Sequence, residues 1–354
     1  MKQYTELDDI DNYFVEYRRS KLAGIRTKEY VSELAKYSND DFNSDSYDVF
    51  HKWYSKINKR NFDGIDRVIA LDGVGYEYCG YIVSLLSKNE KISILSADML
   101  ASKLPTITSV NKEDLESFSN FEKLVPDYDS EVIHGDYYYL VDSLEKSLTI
   151  VKRMINTILD TISAGEILCV TADHGSTVQH KLVNTTKKYY FEKSEHEGRC
   201  CLLDGSENYS KSSNDYIYYK DYDTKKEWLL STNNFSLFNT PKREAHGGAT
   251  LEEVCVPKIV FAYDKNINYK INLLTKDINS MHKVISFTVN PKPFANVFVE
   301  EENGKLLKCE LKDNTYFVEL SAGKTQKIKI KVQNVVFEEL IKNNSMNSEG
   351  DDFF

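Results

Sequence analysis

Short apolar runs alternate with helix-like stretches along the middle of this chain, and several of the runs end at an acidic residue. Each run has the length of a buried strand, and the stretches between them carry apolar residues at helical spacing. Strands that alternate with helices predict an α/β fold, with a mostly parallel sheet sandwiched by helices. The predicted strands cover residues 67–71, 91–95, 136–141, 166–170 and 254–261.

The composition narrows the classes of function. The chain has 354 residues and a net charge of −10, which argues against a broadly basic nucleic-acid-binding surface. Hydrophobic residues make up 41% of it, enough for a sizeable core. No apolar stretch approaches the roughly 20 residues of a membrane span, and the polar N-terminus is unlike a signal peptide. We therefore expect a cytoplasmic protein with no membrane segment.

The six cysteines do not predict a metal site. No two of them form a C-x-x-C pair, and Cys169 and Cys255 lie inside apolar, strand-like runs. Cys200 and Cys201 are adjacent, which places them poorly for chelating one zinc ion together. Reduced, buried thiols are the favoured interpretation.

The sequence predicts four segments. Residues 1–62 form a helical N-terminal lobe, and residues 63–264 form the α/β core. An insertion over the site, residues 176–245, interrupts that core. Residues 265–335 alternate between apolar and polar side chains with turn signals, which predicts a small antiparallel β domain, sandwich-like. Residues 336–354 form an extension whose acidic end is expected to be disordered; docking of this Phe-Phe tail in a basic, apolar pocket is the alternative.

The insertion is rich in aromatic residues. They are Tyr189, Tyr190, Phe191, Tyr216, Tyr218, Tyr219, Tyr222 and Trp228. Two uses are open: stacking nucleic-acid bases, or packing a small core that belongs to the insertion itself. The second is favoured, because most aromatic clusters serve packing.

Polar side chains collect where a sheet of this kind binds ligands, at the strand ends. They are Asp72 after the first strand, the hydroxyl segment Pro105–Asn111 after the second, Asp142 after the third, Asp173-His174 after the fourth, and His246 before the last. Alone, Asp173-His174-Gly175 could equally be a turn with a solvated histidine. Together, the carboxylates and imidazoles suit zinc or a similar divalent ion. Two ions about 4 Å apart could clamp the oxygens of a phosphoryl displacement, with an activated Thr hydroxyl as nucleophile.

These motifs resemble a known superfamily. Leu71-Asp72-Gly73, Pro105-Thr106-x-Thr108-x-x-Asn111, Thr171-Ala172-Asp173-His174-Gly175 and His246-Gly247-Gly248 are similar to the alkaline phosphatase superfamily. Two further elements resemble the PglZ domain in particular: His246–Thr250 followed by Glu252-Glu253-Val254 and Val256-Pro257, and Gly198-Arg199 in the insertion. PglZ proteins accompany bacterial phage-defence systems of the BREX type. The resemblance covers roughly residues 65 to 262.

The resemblance implies two metal sites, a nucleophile and an oxyanion-stabilising amide. It assigns Thr108 as nucleophile, Asn111 as the amide, Asp72, Asp173 and His174 (with Thr108 itself) as ligands of the metal that activates Thr108, and Asp142 and His246 as ligands of the second metal. One or two zinc ions are expected, with manganese or magnesium as alternatives.

The chain departs from the family pattern at Lys146. The family often has a histidine four residues beyond the position assigned to Asp142, and this chain has Lys146 there. Lys146 could instead supply positive charge to a phosphate, and Arg199 is a second candidate for binding substrate. Other histidines that could complete the second metal site are His134, His180 and His196.

The expected function is a metal-dependent phosphoesterase. By the resemblance it is a phosphodiesterase that acts on nucleotides or nucleic acid in anti-phage defence, with protein partners from that system. The alternative is a catalytically impaired, PglZ-like scaffold that acts through partners in a defence complex, which Lys146, the β domain and the acidic tail favour. A phosphosugar mutase is a third interpretation, but the sequence reveals no sugar-phosphate pocket.

Overall fold

The computed structural model describes residues 10–343 apart from 39–45, 136–139, 184–188, 206–207, 240, 242, 265–266, 276, 280, 291, 294–296, 322 and 333–334. The chain divides into two compact units. One is formed by Met1–Ile92 and Ser96–Asp264, and the other by Ser93–Leu95 and Lys265–Phe354.

Helices and strands alternate up to residue 264, and strands dominate beyond it. The α-helices are α1 (Ile10–Ala23), α2 (Lys28–Leu34), α3 (Ser46–Tyr54), α4 (Cys79–Leu86), α5 (Thr108–Glu116), α6 (Leu140–Leu159) and α7 (Leu251–Val254). The strands before residue 265 are β1 (Arg67–Leu71), β2 (Ile92–Ala101), β3 (Phe121–Val125), β4 (Ile167–Ala172), β5 (Ser194–Glu195), β6 (Cys200–Leu202), β7 (Tyr216–Lys220), β8 (Glu227–Ser231) and β9 (Cys255–Tyr263). The later strands are β10 (Lys270–Leu273), β11 (Asp277–Ile278), β12 (Val284–Asn290), β13 (Val297–Glu301), β14 (Leu306–Lys308), β15 (Glu310–Lys312), β16 (Thr315–Glu319), β17 (Gln326–Val332) and β18 (Val335–Asn343).

The central sheet has the strand order β2-β9-β4-β1-β3. Strand β1 is parallel to both β4 and β3. Four of its five residues, Val68 to Leu71, are completely buried, as expected for an apolar strand inside a sheet. The mixed α/β class is therefore confirmed, and the carboxyl ends of β1, β3 and β4 meet at one edge of the sheet.

Strand β9 corrects the expectation of a parallel sheet. It pairs with β4 in antiparallel register, with Val170 opposite Ile259. The reason lies in the connection, because the chain leaves β4 at the carboxyl edge and returns to that same edge through His246. A strand that starts where its neighbour ends must run the opposite way.

The third predicted strand is also corrected. Residues 136–139 lie outside the described residues, and Leu140, Val141 and Asp142 belong to the first turn of α6 rather than to a strand. The strand beside β1 is β3, Phe121–Val125, an edge strand whose side chains are partly exposed. It contains charged residues and so does not form an apolar run, because edge strands need not be apolar on both faces.

The N-terminal helices pack onto the core through buried polar groups. The hydroxyls of Tyr13 and Tyr30 both donate to Glu252 Oε1, at 2.6 Å and 3.0 Å. Lys21, on α1, is buried and ion-paired with both Glu77 and Glu244. These contacts join the helical lobe to the elements around the sheet edge.

The insertion forms its own sheet, with strand order β5-β6-β8-β7. Buried Cys201, Tyr216, Leu229 and Leu237 make its core, with Tyr189, Phe191, Leu203, Tyr209 and Tyr218 packed against them. Five of the insertion's eleven aromatic side chains therefore pack a core of its own. Tyr219 and Trp228 do not belong to this cluster.

The second unit contains two sheets around one apolar core. The sheets have the orders β10-β12-β16-β15 and β11-β18-β17-β13-β14. Phe287 from one sheet and Val299 and Ile330 from the other are completely buried in the same cluster. The strands pair antiparallel except β11 with β18. Strand β18 reaches Asn343, so the extension predicted from residue 336 begins inside the sandwich, and its acidic end, residues 344–354, lies outside the described residues.

Among the residues that the structure describes, no helix has the length and apolar character needed to cross a membrane.

Candidate metal centre

The first part of the site lies at the carboxyl end of β1. Asp72 follows the strand directly and is 5% exposed. Gly73 comes next at φ +76, and a Cβ there would lie 2.5 Å from Ile133 Cδ1. Glycine suits this position because the backbone is left-handed and a side chain would be crowded. In this conformation the Gly73 N–H donates to Asp173 Oδ1 at 3.0 Å.

The second part follows β4. Asp173 Oδ1 accepts hydrogen bonds from Gly73 N–H and from His174 N–H at 2.8 Å. The other oxygen, Oδ2, is buried without a hydrogen-bond partner in the described part of the chain, and lies 3.4 Å from His174 Nε2. His174 Nδ1 is 3.0 Å from Gly175 O, so a proton on Nδ1 leaves the Nε2 lone pair free.

Thr108 joins this group from α5. It is the first residue of that helix, and its Oγ1 lies 3.1 Å from His174 Nε2 and 3.4 Å from Asp72 Oδ1. Asp72, Asp173 and His174 together place one ligand atom each within 4.8 Å of one another. The structure thus brings together the four residues that the resemblance assigned to the first metal site.

A second group of the same kind lies beside the first. It consists of Asp129, His134 and His246. Asp129 Oδ1 is buried without a hydrogen-bond partner among the described residues and lies 3.6 Å from His246 Nε2, while Oδ2 lies 3.4 Å from His134 Nε2. His246 Nδ1 is 3.0 Å from Thr106 O, which again turns Nε2 toward the carboxylate.

Stacked histidines connect the two groups. The rings of His174 and His246 are 4.2 Å apart and nearly parallel, at 12°. His196, from the insertion, lies with its ring 4.5 Å from that of His246. Two carboxylate–histidine clusters therefore lie side by side at the carboxyl edge of the sheet, the first buried and the second partly exposed at His134.

The structure does not bring Asp142 to either group. Asp142 is exposed in the first turn of α6, and the carboxylate that follows the third strand of the sheet is Asp129. The misassigned strand explains the error, because it moved the expected ligand 13 positions along the chain. Lys146 Nζ lies 3.1 Å from Glu131 Oε2 on a half-exposed surface, so it faces an ion-pair partner and not a metal ligand.

The hydrogen-bonding groups of Asn111 and Arg199 are already occupied by protein partners, so neither side chain is well placed to bind a substrate. The Asn111 amide donates to Lys103 O, Pro105 O and Ile107 O, and its oxygen accepts from Arg60. It therefore fixes the loop before Thr108 rather than offering a donor to an oxyanion. Arg199 is completely buried; it donates to both Glu253 carboxylate oxygens and to the carbonyls of three insertion residues, Ser231, Asn233 and Phe235.

The electrostatics of the pocket favour a cation. Burial, together with repulsion from Asp173 and Asp129, raises the pKa of Asp72 to about 9. Burial also raises the pKa of Asp129. Burial and the neighbouring histidines lower the pKa of His196 to about 4 and that of His246 well below its usual value, so these imidazoles are neutral. Crowded carboxylates and neutral imidazoles fit a divalent ion. Such an ion would supply the positive charge that the neutral histidines do not.

Sequence reasoning missed Asp129 and left His134 among several alternatives. The available signal was their position, because Asp129 lies four residues after the end of Phe121–Val125 and five residues before His134. The Asp129–Ile133 turn is π-helical, which places both side chains on the pocket side.

Comparisons with known sequences give two matches. Residues 127–261 match the family described as "BREX system PglZ alkaline phosphatase-like domain". The "Alkaline phosphatase-like protein PglZ" of Bacillus cereus (strain H3081.97) is 22% identical over 224 residues, which are 58% of this chain and 25% of that protein. Residues 127–261 therefore resemble a PglZ domain of the alkaline phosphatase superfamily, and the chain spans about a quarter of the length of this curated relative.

Solved structures give a weaker likeness. Murine ectonucleotide pyrophosphatase/phosphodiesterase 5 is 12% identical, with a TM-score of 0.22, over 44% of this chain and 51% of that one. An inactive variant of the same murine protein in complex with AMP is 13% identical, again with a TM-score of 0.22, over 44% and 52%. A likeness at this level carries no conclusion about substrate.

Proposed function

We propose that this protein is a metal-dependent phosphoesterase in which Thr108 is the nucleophile. The single observation that carries the proposal is the position of Thr108 Oγ1, at the start of α5 and 3.1 Å from His174 Nε2. A hydroxyl held against a carboxylate–imidazole cluster is the arrangement that activated nucleophiles require. The alkaline phosphatase-like domain supports the same reaction class.

Two groups would hold divalent ions, with zinc as the first candidate and manganese or magnesium as alternatives. Asp72, Asp173, His174 and Thr108 would hold one ion, and Asp129, His134 and His246 the other. Bound ions supply positive charge that polarises phosphoryl oxygens and favours ionisation of a coordinated hydroxyl.

The start of α5 positions the reacting group. Its first helical hydrogen bond in the described chain is donated by Asn111 to Ile107 O, at 3.1 Å. The N–H groups of Thr108, Ser109 and Val110 therefore lie at the helix N-terminus, where they can donate to an anionic phosphoryl oxygen. This backbone edge takes the role that the sequence assigned to the Asn111 side chain.

The chemical balance is that of a double displacement. Attack by Thr108 Oγ1 forms an Oγ–P bond and breaks the bond from phosphorus to the leaving alcohol. The proton lost by the Thr108 hydroxyl equals the one that the leaving oxygen gains through solvent. Water then attacks phosphorus, the Oγ–P bond breaks, and the Thr108 hydroxyl is restored.

We further propose a phosphodiester substrate, a nucleotide or nucleic acid, and a role with protein partners in cytoplasmic phage defence. The support is the BREX description of the matched domain and the six free, buried cysteines, which suit a reducing compartment. The scaffold alternative rests on Lys146, the β domain and the acidic tail. The support from Lys146 weakens, because Lys146 pairs with Glu131 and His134 is a candidate ligand of the second group.

The test is hydrolysis of a chromogenic phosphodiester and its matching monoester by the purified chain, with Zn²⁺, Mn²⁺ or Mg²⁺. Thr108→Ala should lower turnover by about 10³-fold or more, and Thr108→Ser should retain part of it. Thr157→Ala, on the exposed face of α6, is the matched control. If the metal-bound wild-type chain hydrolyses neither ester, the scaffold alternative is favoured. If Thr108→Ala keeps wild-type turnover, Thr108 is not the nucleophile.

A further inference from the structure

A large cleft lies along the exposed flank of the helix that begins with Thr108. Its volume is about 670 Å³, within the range of pockets that hold small molecules. The cleft is lined by α5 and the residues directly after it, including Ser109 and Phe118, and by the β7–β8 hairpin of the insertion, including Tyr219 and Trp228. The metal ligands do not line it, so it is a neighbouring feature of the candidate centre.

The cleft begins one residue from the nucleophile. Ser109 lines it and directly follows Thr108 in the first turn of α5. Arg60, at its inner end, donates to Ala172 O and contacts Asp173 O, the backbone of the first metal group. An ester whose phosphorus lies at Thr108 therefore has this cleft available for the group attached to the phosphate.

The charges of the cleft do not select a phosphate. Four basic and four acidic side chains line it, so it has no net positive charge. Two of the basic groups are also neutralised locally, because Asp114 pairs with Arg60 at 2.7 Å and with Lys103 at 2.9 Å. A nucleic-acid backbone binds through an excess of cations, which the side chains lining this cleft do not supply. The chemistry fits an uncharged part of a ligand.

Aromatic side chains give the cleft its apolar surface. Tyr219 and Trp228 face each other across the β7–β8 pair, and Tyr54 enters from the end of α3 with its ring stacked on Phe50 at 4.7 Å. Tyr219 and Tyr54 are half-buried. Flat rings beside exposed hydroxyl and carboxylate groups are what a nucleobase needs for stacking and edge hydrogen bonds.

We propose that this cleft binds the nucleoside part of the substrate, with the base stacked on Tyr219. The inference rests on the proposed function, because it places the phosphate at Thr108. It gives the insertion two separate uses of its aromatic residues. The buried cluster around Tyr216 folds the insertion, and Tyr219 contacts the substrate.

The kinetic test compares two esters with the same leaving group. They are thymidine 5′-(4-nitrophenyl phosphate) and bis(4-nitrophenyl) phosphate, assayed with the metal-loaded chain. Tyr219→Ala should raise KM for the thymidine ester by about tenfold and leave kcat/KM for the simple diester within about twofold. Tyr219→Phe should retain wild-type KM, since it keeps the ring. Tyr222→Ala, an aromatic residue 75% exposed on the same hairpin, is the control.

A binding test separates this inference from the proposed catalysis. The chain has two tryptophans, so Trp53→Phe leaves Trp228 as the fluorescent reporter in the cleft. Titration with thymidine, which has no phosphate, should quench Trp228 with saturation, and Tyr219→Ala added to this background should weaken binding by about tenfold.

The outcomes are distinct. Saturable thymidine binding that depends on Tyr219, in a chain that hydrolyses neither ester, would support nucleoside binding in the cleft and contradict the proposed phosphoesterase activity. Hydrolysis that depends on Thr108, with KM for the two esters changed equally or not at all by Tyr219→Ala, would support the phosphoesterase and contradict nucleoside binding in the cleft. Equal thymidine binding by the Tyr219→Ala and reference chains would also overturn it.

Discussion

At the scale of single residues, the two oxygens of Asp173 show how the pocket is prepared for a cation. One oxygen accepts two backbone N–H groups, which fix the carboxylate, and the other is buried without a protein partner among the described residues. Asp129 repeats this in the second group, with an unpartnered Oδ1. Buried carboxylate oxygens without partners are costly unless a ligand compensates them.

The assignment of the second site can be tested with two aspartates. Asp129→Asn should lower bound metal by about one ion per chain, because the amide replaces a charged ligand of the second group. Asp142→Asn should leave metal content unchanged, since that side chain is exposed on α6. Elemental analysis of the purified variants measures both. The reverse pattern would return the second site to the position that the sequence favoured.

Arg199 distinguishes a structural role from substrate binding. Arg199→Met leaves Glu253 buried without its ion-pair partner, so the free energy of unfolding should fall by about 3–5 kcal/mol. Arg153→Met, which breaks an exposed ion pair with Glu131, should leave stability nearly unchanged. Urea unfolding gives both values. A stable Arg199→Met chain with a raised KM would instead support a contact with substrate.

At the scale of elements, sequence reasoning placed the apolar strands of the central sheet and missed the charged edge strand β3. The apolar runs of β1 and β4 and the residues that follow them, Asp72 and Asp173-His174, could be placed from pattern alone. Strand β3 could not, because its half-exposed side chains carry charge, and the tyrosine-rich segment before α6 resembled a strand more closely. The direction of β9 depends on where a long insertion returns, which no local pattern records.

The attachment of α1 to the core predicts a pH dependence. Burial would raise the pKa of Glu77, but Lys21 and Arg18 outweigh it and lower that pKa. A carboxyl group whose pKa is lowered in the folded state stabilises the fold at neutral pH. This contribution begins to fall near the unfolded-state pKa of about 4, and it is lost as the pH drops through the lower folded-state pKa. Lys21→Met should therefore cost about 3–5 kcal/mol at pH 7, and less at acidic pH.

Urea unfolding of wild type and Lys21→Met from pH 7 to pH 3 measures this convergence. Lys36→Met removes an ion pair with Glu33 that is partly exposed, and should change stability little at either pH. Parallel stability curves for wild type and Lys21→Met would show that the Lys21–Glu77 pair does not act as inferred.

At the scale of the whole molecule, the candidate metal centre connects distant parts of the chain. Its proposed ligands follow β1 and β4, lie in the Asp129–Ile133 turn and at His134 after it, begin α5, and precede β9. An unfolded chain cannot bring these groups together, so metal binding should favour the folded state.

Thermal unfolding can test this coupling. Added ZnCl₂ should raise the Tm of metal-free protein in a concentration-dependent manner, and a chelator should reverse the rise. Asp173→Ala should have a much smaller response, because it loses the carboxylate with the unpartnered oxygen. An equal rise in wild type and Asp173→Ala would mean that zinc binds elsewhere on the chain.

The ends of the insertion meet in a single antiparallel bridge. Thr177 and Ala245 exchange two backbone hydrogen bonds, 2.8 Å and 3.0 Å long, with His174 just before the bridge and His246 just after it. Everything from residue 178 to 244 therefore leaves and re-enters at one point, so its length does not set the separation of the two histidines. The loops within the insertion can therefore change length without moving the two flanking histidines apart, provided that the buried Arg199–Glu253 ion pair is kept.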